Sequence, residues 1–164
     1  MPNNVYVSPE TAITFKASGG SAVLTMTSLA NGAGRVSAQI DRGAGAHAAK
    51  YLVEVQTKSG TAMTVGGTLQ VYLAMAQADA TQPDGAVGQV DAALTSIEQR
   101  RNLLLACIAE APVTTSGAQL KASGEVVVSA RYVSVVPVNE LGAALSATAS
   151  DHIITLTPIP DQIQ

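Results

Sequence analysis

Two histidines, one cysteine and a scatter of carboxylates are the side chains of this sequence whose chemistry could go beyond packing. His47 and His152 cannot build a conventional zinc site without carboxylate help, and neither stands at a recognisable ligand spacing from Cys107. Asp151 precedes His152, a pairing of types that could make a base and its orienter. Adjacent residues on a strand point to opposite faces, however, so a turn or strand-start role is expected for both. Cys107 lies inside Leu103-Leu104-Leu105-Ala106-Cys107-Ile108-Ala109, where an inert buried thiol is expected rather than a nucleophile. As the single cysteine it also excludes an intrachain disulfide. Asp79, Asp84 and Asp91 share one stretch and could bind calcium, but their spacing is not that of an EF-hand and a solvated loop is the simpler reading. No Gly-x-Ser-x-Gly elbow or Walker loop occurs, and Gly43-Ala44-Gly45 lacks the third glycine of a dinucleotide fingerprint. Neither catalysis nor a cofactor is expected. Aromatic residues are only 3% with no tryptophan, which leaves a carbohydrate-stacking surface little to work with.

The elements that must position these residues are strands. Ile13 and Phe15 alternate with Thr14 and Lys16, and a second alternation runs through Val23, Thr25 and Thr27. Asn31-Gly32 marks a turn, Val36, Ala38 and Ile40 alternate again, and residues 43–49 read as a loop or bulged segment. Period two is clearest in Tyr51, Val53 and Val55 against Glu54, Gln56 and Lys58, and in Leu69, Val71, Leu73 and Met75. The pattern lapses over residues 77–102, which read as a long loop or, from the spacing of Val90, Leu94 and Ile97, as a short helix. Residues 103–110 read as a strand buried on both faces and 113–119 as a loop. Residues 125–138 read as the longest strand, with Pro137 requiring an edge or a bend, and residues 152–157 as the last. About eight strands without a repeat predict an all-β sandwich, the strand number of a jelly roll. Valine outnumbering leucine supports the same class. One domain is expected over residues 12–164, preceded by an arm or first strand over residues 1–11.

Nine basic against twelve acidic residues give a formal charge of -3, so no field draws nucleic acid to this chain. Charged residues are 13% of the sequence, about half the usual share, and a surface of small polar side chains suits burial against a partner. The N-terminus has no basic region followed by an apolar stretch, so neither export by a signal nor membrane insertion is expected. Two segments are candidate partner contacts. The arm residues Asn3, Asn4, Val5, Tyr6 and Val7 could add a strand to a neighbour, and Arg100 with Arg101 ends the long connection as a solvated rim or an anchor.

The segments Gly66-Gly67-Thr68-Leu69-Gln70-Val71-Tyr72-Leu73-Ala74, Arg131-Tyr132-Val133-Ser134, Asn139, Gly142-Ala143-Ala144-Leu145-Ser146 and Ile154-Thr155-Leu156-Thr157-Pro158-Ile159-Pro160-Asp161 together resemble the capsid decoration, or cement, proteins of tailed bacteriophages. The resemblance spans roughly residues 50 to 164. It implies a jelly-roll-like sandwich, made in the host bacterial cytoplasm, that forms dimers or trimers. Such a protein binds the major capsid protein on the outer surface of the head and stabilises the lattice in the virion. The competing reading is a receptor- or carbohydrate-binding sandwich module of a phage tail fibre or tip.

Overall fold

The alternation around Tyr51 is realised as a strand, Lys50–Lys58, whose Tyr51, Val53, Val55 and Thr57 are buried while Glu54 faces outward. The computed structural model describes residues 10–45, 47–77, 90–94, 100–101 and 103–159. In them the strands run β1 (Ile13–Lys16), β2 (Ala22–Val23), β3 (Ala33–Val36), β4 (Ile40–Asp41), β5 (Lys50–Lys58), β6 (Thr68–Ala76), β7 (Ala92–Ala93), β8 (Leu104–Glu110), β9 (Gln119–Val127), β10 (Tyr132–Glu140) and β11 (Ile153–Ile159). One 3₁₀ turn, Ala149–Asp151, precedes β11.

The strands form two sheets, β2-β1-β11-β5-β9 and β7-β3-β10-β6-β8, with β4 also alongside β10. Setting aside the two-residue strands β2, β4 and β7, the first sheet takes the first, eighth, third and sixth of the remaining eight. The second takes the second, seventh, fourth and fifth. That order is a jelly roll, as the strand count anticipated. Phe15, Tyr51, Val53, Leu69, Val71, Val133, Val135, Ile154 and Leu156 fill the space between the sheets. A second, smaller cluster lies on the outer face of the β7-β3-β10-β6-β8 sheet, where Leu94 and Leu103 cover Val36, Ala74 and Val136. β10 is therefore buried on both sides.

The run expected as one strand over 125–138 is two strands in opposite sheets, broken at Ser129-Ala130-Arg131. Pro137 lies at neither an edge nor a bend, because β10 runs between β3 and β6. Val135 and Asn139 turn their backbone groups toward the β3 side, accepting from Ser37 N at 3.0 Å and from Gly32 N at 2.7 Å. Pro137, two residues from each, turns the same way. Its missing donor falls where β3 pairs for only two residues, and the nine-residue ladder to β6 loses nothing. Val90 and Leu94 are not on a helix: β7 lies between them and pairs with Arg35 and Val36, while Ile97 is outside the described residues.

β8 also departs from expectation, since only one of its faces is buried. Leu104, Leu105 and Ile108 are exposed, and Ala106 is an extra residue between the pairs Val71↔Cys107 and Tyr72↔Leu105. This bulge tips the Ala106 carbonyl toward the core-facing side of Gly124 on β9, where a Cβ would overlap it. Gly124→Ala is expected to lower stability by roughly 1–3 kcal/mol through this overlap. Denaturant unfolding checks this; a midpoint equal to the wild type would show that the two sheets can part there at no cost.

Candidate interaction surface

Among the described residues, His152, Asp151, Cys107 and Asp91 are held by the fold itself. His152 is buried, with Nε2 donating to Ser146 O at 2.9 Å and Nδ1 2.7 Å from Thr57 Oγ1. The Ser146 carbonyl can only accept, so Nε2 carries the proton, and in the neutral ring Nδ1 accepts the Thr57 hydroxyl. Asp151 meets this group through Ser146, whose hydroxyl donates to it at 2.6 Å and accepts Thr148 N at 3.1 Å. Asp151 and His152 thus brace the corner between β10 and β11 without touching one another. Burial pushes the Cys107 thiol up to about 11, which keeps it protonated and unreactive at neutral pH. Asp91 is held by Arg35 in two bonds of 2.7 and 2.8 Å and by Thr25 N at 3.1 Å, so it pins the long connection to β3. Asp79 and Asp84 lie outside the described residues. Among the described residues no three His, Cys, Asp or Glu side chains could hold a metal together.

The largest polar cluster gathers at the end of the sandwich where β5 begins and β9 ends. Arg42, whose side chain is 2% exposed, donates to Val128 O, Ala130 O and Ala48 O at 3.1, 2.7 and 2.8 Å and to Tyr51 Oη at 2.7 Å. Its guanidinium lies over the Tyr51 ring, 4.9 Å from the centroid. Tyr51 donates to Glu10 Oε2, which also accepts from Ala48 N at 3.2 Å; Arg42 Nε and His47 Nδ1 lie 3.5 and 3.4 Å from Glu10 Oε1. The His47 Nε2 donates to Gly43 O at 2.9 Å. Burial raises the Glu10 carboxyl, but Tyr51, the Ala48 N–H, Arg42 and His47 outweigh it and hold the group below its ordinary range. Burial and the bond to Glu10 push Tyr51 up to about 12. Beside this cluster Asp41 takes two bonds of 2.6 Å from Arg131, which, with the Gly43 N–H, lowers its carboxyl to about 2.

Of the expected partner contacts, Asn3, Asn4, Val5, Tyr6 and Val7 lie outside the described residues. Arg100 and Arg101 are placed at the start of the approach to β8. Arg100 belongs to a network on the outer face of the second sheet: it donates to Glu140 Oε1 at 2.5 Å, Glu140 accepts Gln70 Nε2 at 2.8 Å, and Tyr72 donates to Gln70 Oε1 at 2.5 Å. Arg101 is exposed. Leu105 and Ile108 share this outer face, opposite Tyr72 and Gln70 in register, with exposures of 44% and 47%. Leu104, 39% exposed, stands opposite Leu73 and so belongs to the other, core-facing side of β8, at its open start. Sequence reading missed this surface because a run of three leucines signals burial, and nothing local says that β8 is an edge strand.

No family model and no curated protein matches this chain. Among the described residues no helix is long and apolar enough to cross a membrane.

The Glu10 cluster has a defined pH signature. A carboxyl held below its unfolded value stabilises the fold above that unfolded value and surrenders the contribution as pH falls through the folded one. Glu10→Gln should therefore cost about 1–2 kcal/mol at neutral pH. The gap between wild type and variant should close as pH drops below about 5. Thermal unfolding across that range measures it, and a gap independent of pH would show that the charge contributes nothing.

Proposed function

We propose that this chain is a structural virion protein that binds the outer surface of a bacteriophage head through the major capsid protein and stabilises the lattice, without catalysis. The observation that carries this reading is the exposed apolar pair Leu105 and Ile108 on the outer face of β8, an edge strand of a jelly roll, with Arg100 and Arg101 just ahead of that strand. Exposed aliphatic side chains next to arginine make the core-and-rim composition of a protein contact. The reading is further supported by the likeness of residues 50–164 to decoration proteins, and by histidines whose described partners are structural. Binding to the assembled lattice alone would stabilise it by mass action, increasing with the logarithm of protein concentration over the dissociation constant.

Titration of purified, expanded heads lacking this protein, followed by sedimentation, tests the proposal. Saturation at on the order of hundreds of copies per head is expected from occupancy of a repeated lattice site. The double substitution Leu105→Asp with Ile108→Asp should weaken binding at least about tenfold while leaving the unfolding midpoint near that of wild type. A handful of copies confined to the tail would overturn the reading. Undiminished head binding by a folded double variant would move the contact away from β8.

A further inference from the structure

A jelly roll leaves four sheet edges, and in this chain three of them are blunted. β2 and β7 are two residues long, and β8 carries the bulge at Ala106. The fourth, β9, is different. It runs nine residues, contains no proline, and pairs with β5 in unbroken register from Lys50↔Val127 to Lys58↔Gln119.

Val128 N donates to Ala49 O and Ala118 O accepts Ser59 N, so the even-numbered residues of this segment turn toward β5. The N–H and C=O of Gln119, Lys121, Ser123, Glu125 and Val127 therefore point away from the sheet, and no hydrogen bond joins them to another described residue. β8 runs close to β9, and at Gly124 its Ala106 carbonyl approaches from the core-facing side and not from the edge.

The sequence of β9 reads as its own complement about Ser123. In an antiparallel pair of two β9 strands centred on that residue, Lys121 falls opposite Glu125 in both directions. On the core-facing side Leu120 meets Val126 and Ala122 meets Gly124, pairing large with large and small with small. Lys121, Ser123 and Glu125 are all exposed. An isologous contact requires this self-complementarity, and like charges opposite one another would oppose it.

We propose that β9 is a self-association edge, at which a second copy of this chain adds its own β9 antiparallel about a twofold axis at Ser123, joining the two β2-β1-β11-β5-β9 sheets into one. The inference does not depend on what the protein binds. Its centre is a hydrogen-bonded pair of Ser123 residues, with Cα atoms about 5.5 Å apart. That separation falls within disulfide range.

Sedimentation equilibrium of the whole chain over a concentration series is the primary test. A concentration-dependent dimer is expected. Lys121→Glu should raise its dissociation constant at least about tenfold, and the double reversal Lys121→Glu with Glu125→Lys should restore it to within about threefold. Ser123→Pro removes an outward N–H and leaves the β5 ladder whole, so it should yield a folded monomer. Ser123→Cys should form a crosslinked dimer under mild oxidation, with Ser123→Ala as the uncrosslinked control. A wild type that stays monomeric at about 100 µM, or a dimer indifferent to the charge reversal and to the proline, overturns the proposal; the former would leave β9 without a second copy as occupant.

Discussion

A guanidinium cannot be buried alone, because an unpaired charge taken out of water costs several kcal/mol. The Arg42 side chain is buried, and its acceptors come from three places in the chain: the carbonyls of Val128 and Ala130 in the crossing from β9 to β10, the Ala48 carbonyl in the loop before β5, and the Tyr51 hydroxyl on β5; the Glu10 carboxylate ahead of β1 faces Nε as an ion pair at 3.5 Å. Each is a point where the chain enters a sheet or passes between the two. Moving any of them away would cost a donor its partner on a side chain that is 2% exposed. The geometry of this end of the sandwich thus gathers around one cation, whose terminal nitrogens are hydrogen-bonded and whose Nε faces the Glu10 carboxylate.

The opposite end is closed by the same logic with neutral groups. Asn139 is fully buried, donates to Leu29 O and Ala143 O at 2.8 Å each, and accepts Leu141 N at 3.1 Å. Gly142, at φ +76°, presents its N–H to Asn31 Oδ1 at 2.8 Å and leaves no room for a side chain against Thr64. Across the core from it, His152, Thr57 and Ser146 complete another closed set. Between these polar ends the sandwich is filled by apolar side chains. In this arrangement the lone pairs and protons of Asn139, His152, Thr57 and Ser146 hold turns together. Asn139 and Gly142, on which the family likeness partly rests, belong to this scaffold.

What was legible in the sequence was what local periodicity encodes. β5 and β11 alternate because one face of each packs against the core and the other does not, and β6 alternates as far as Leu73, beyond which Ala74 is buried on its outer face by the second apolar cluster. The division of residues 119–140 was not legible, because its break at 129–131 contains neither glycine nor proline and is imposed by Arg42, nearly ninety residues away in sequence. Conversely Gly124, which looks like a breaker, sits inside β9 to accommodate the β8 bulge. The surface row on β8 was hidden for a related reason: burial depends on which strands become edges, and that is settled by topology. Arg100 was visible as a candidate, but its pairing with Glu140, forty residues distant, could not be.

The two proposed contacts constrain one another through the geometry of the sandwich. Two exposed aliphatic side chains on the outer face of β8 bury far less than the roughly 1,000 Å² that a stable interface needs, so one copy would hold a lattice weakly. A twofold axis at Ser123 stands perpendicular to the joined sheet and keeps both of its outer faces on one side. Both second sheets then lie beneath it, with Leu105 and Ile108 of each copy facing the same direction. Two small contacts on one rigid body engage a flat, repeating surface together, and the second forms at the high effective concentration set by the first, a gain of roughly a hundredfold or more over either alone. Self-association at β9 would in this way make a contact row too small for a monomer sufficient for a pair. It would also tie the affinity for the lattice to the strength of the Lys121–Glu125 pairing on an edge that never touches it.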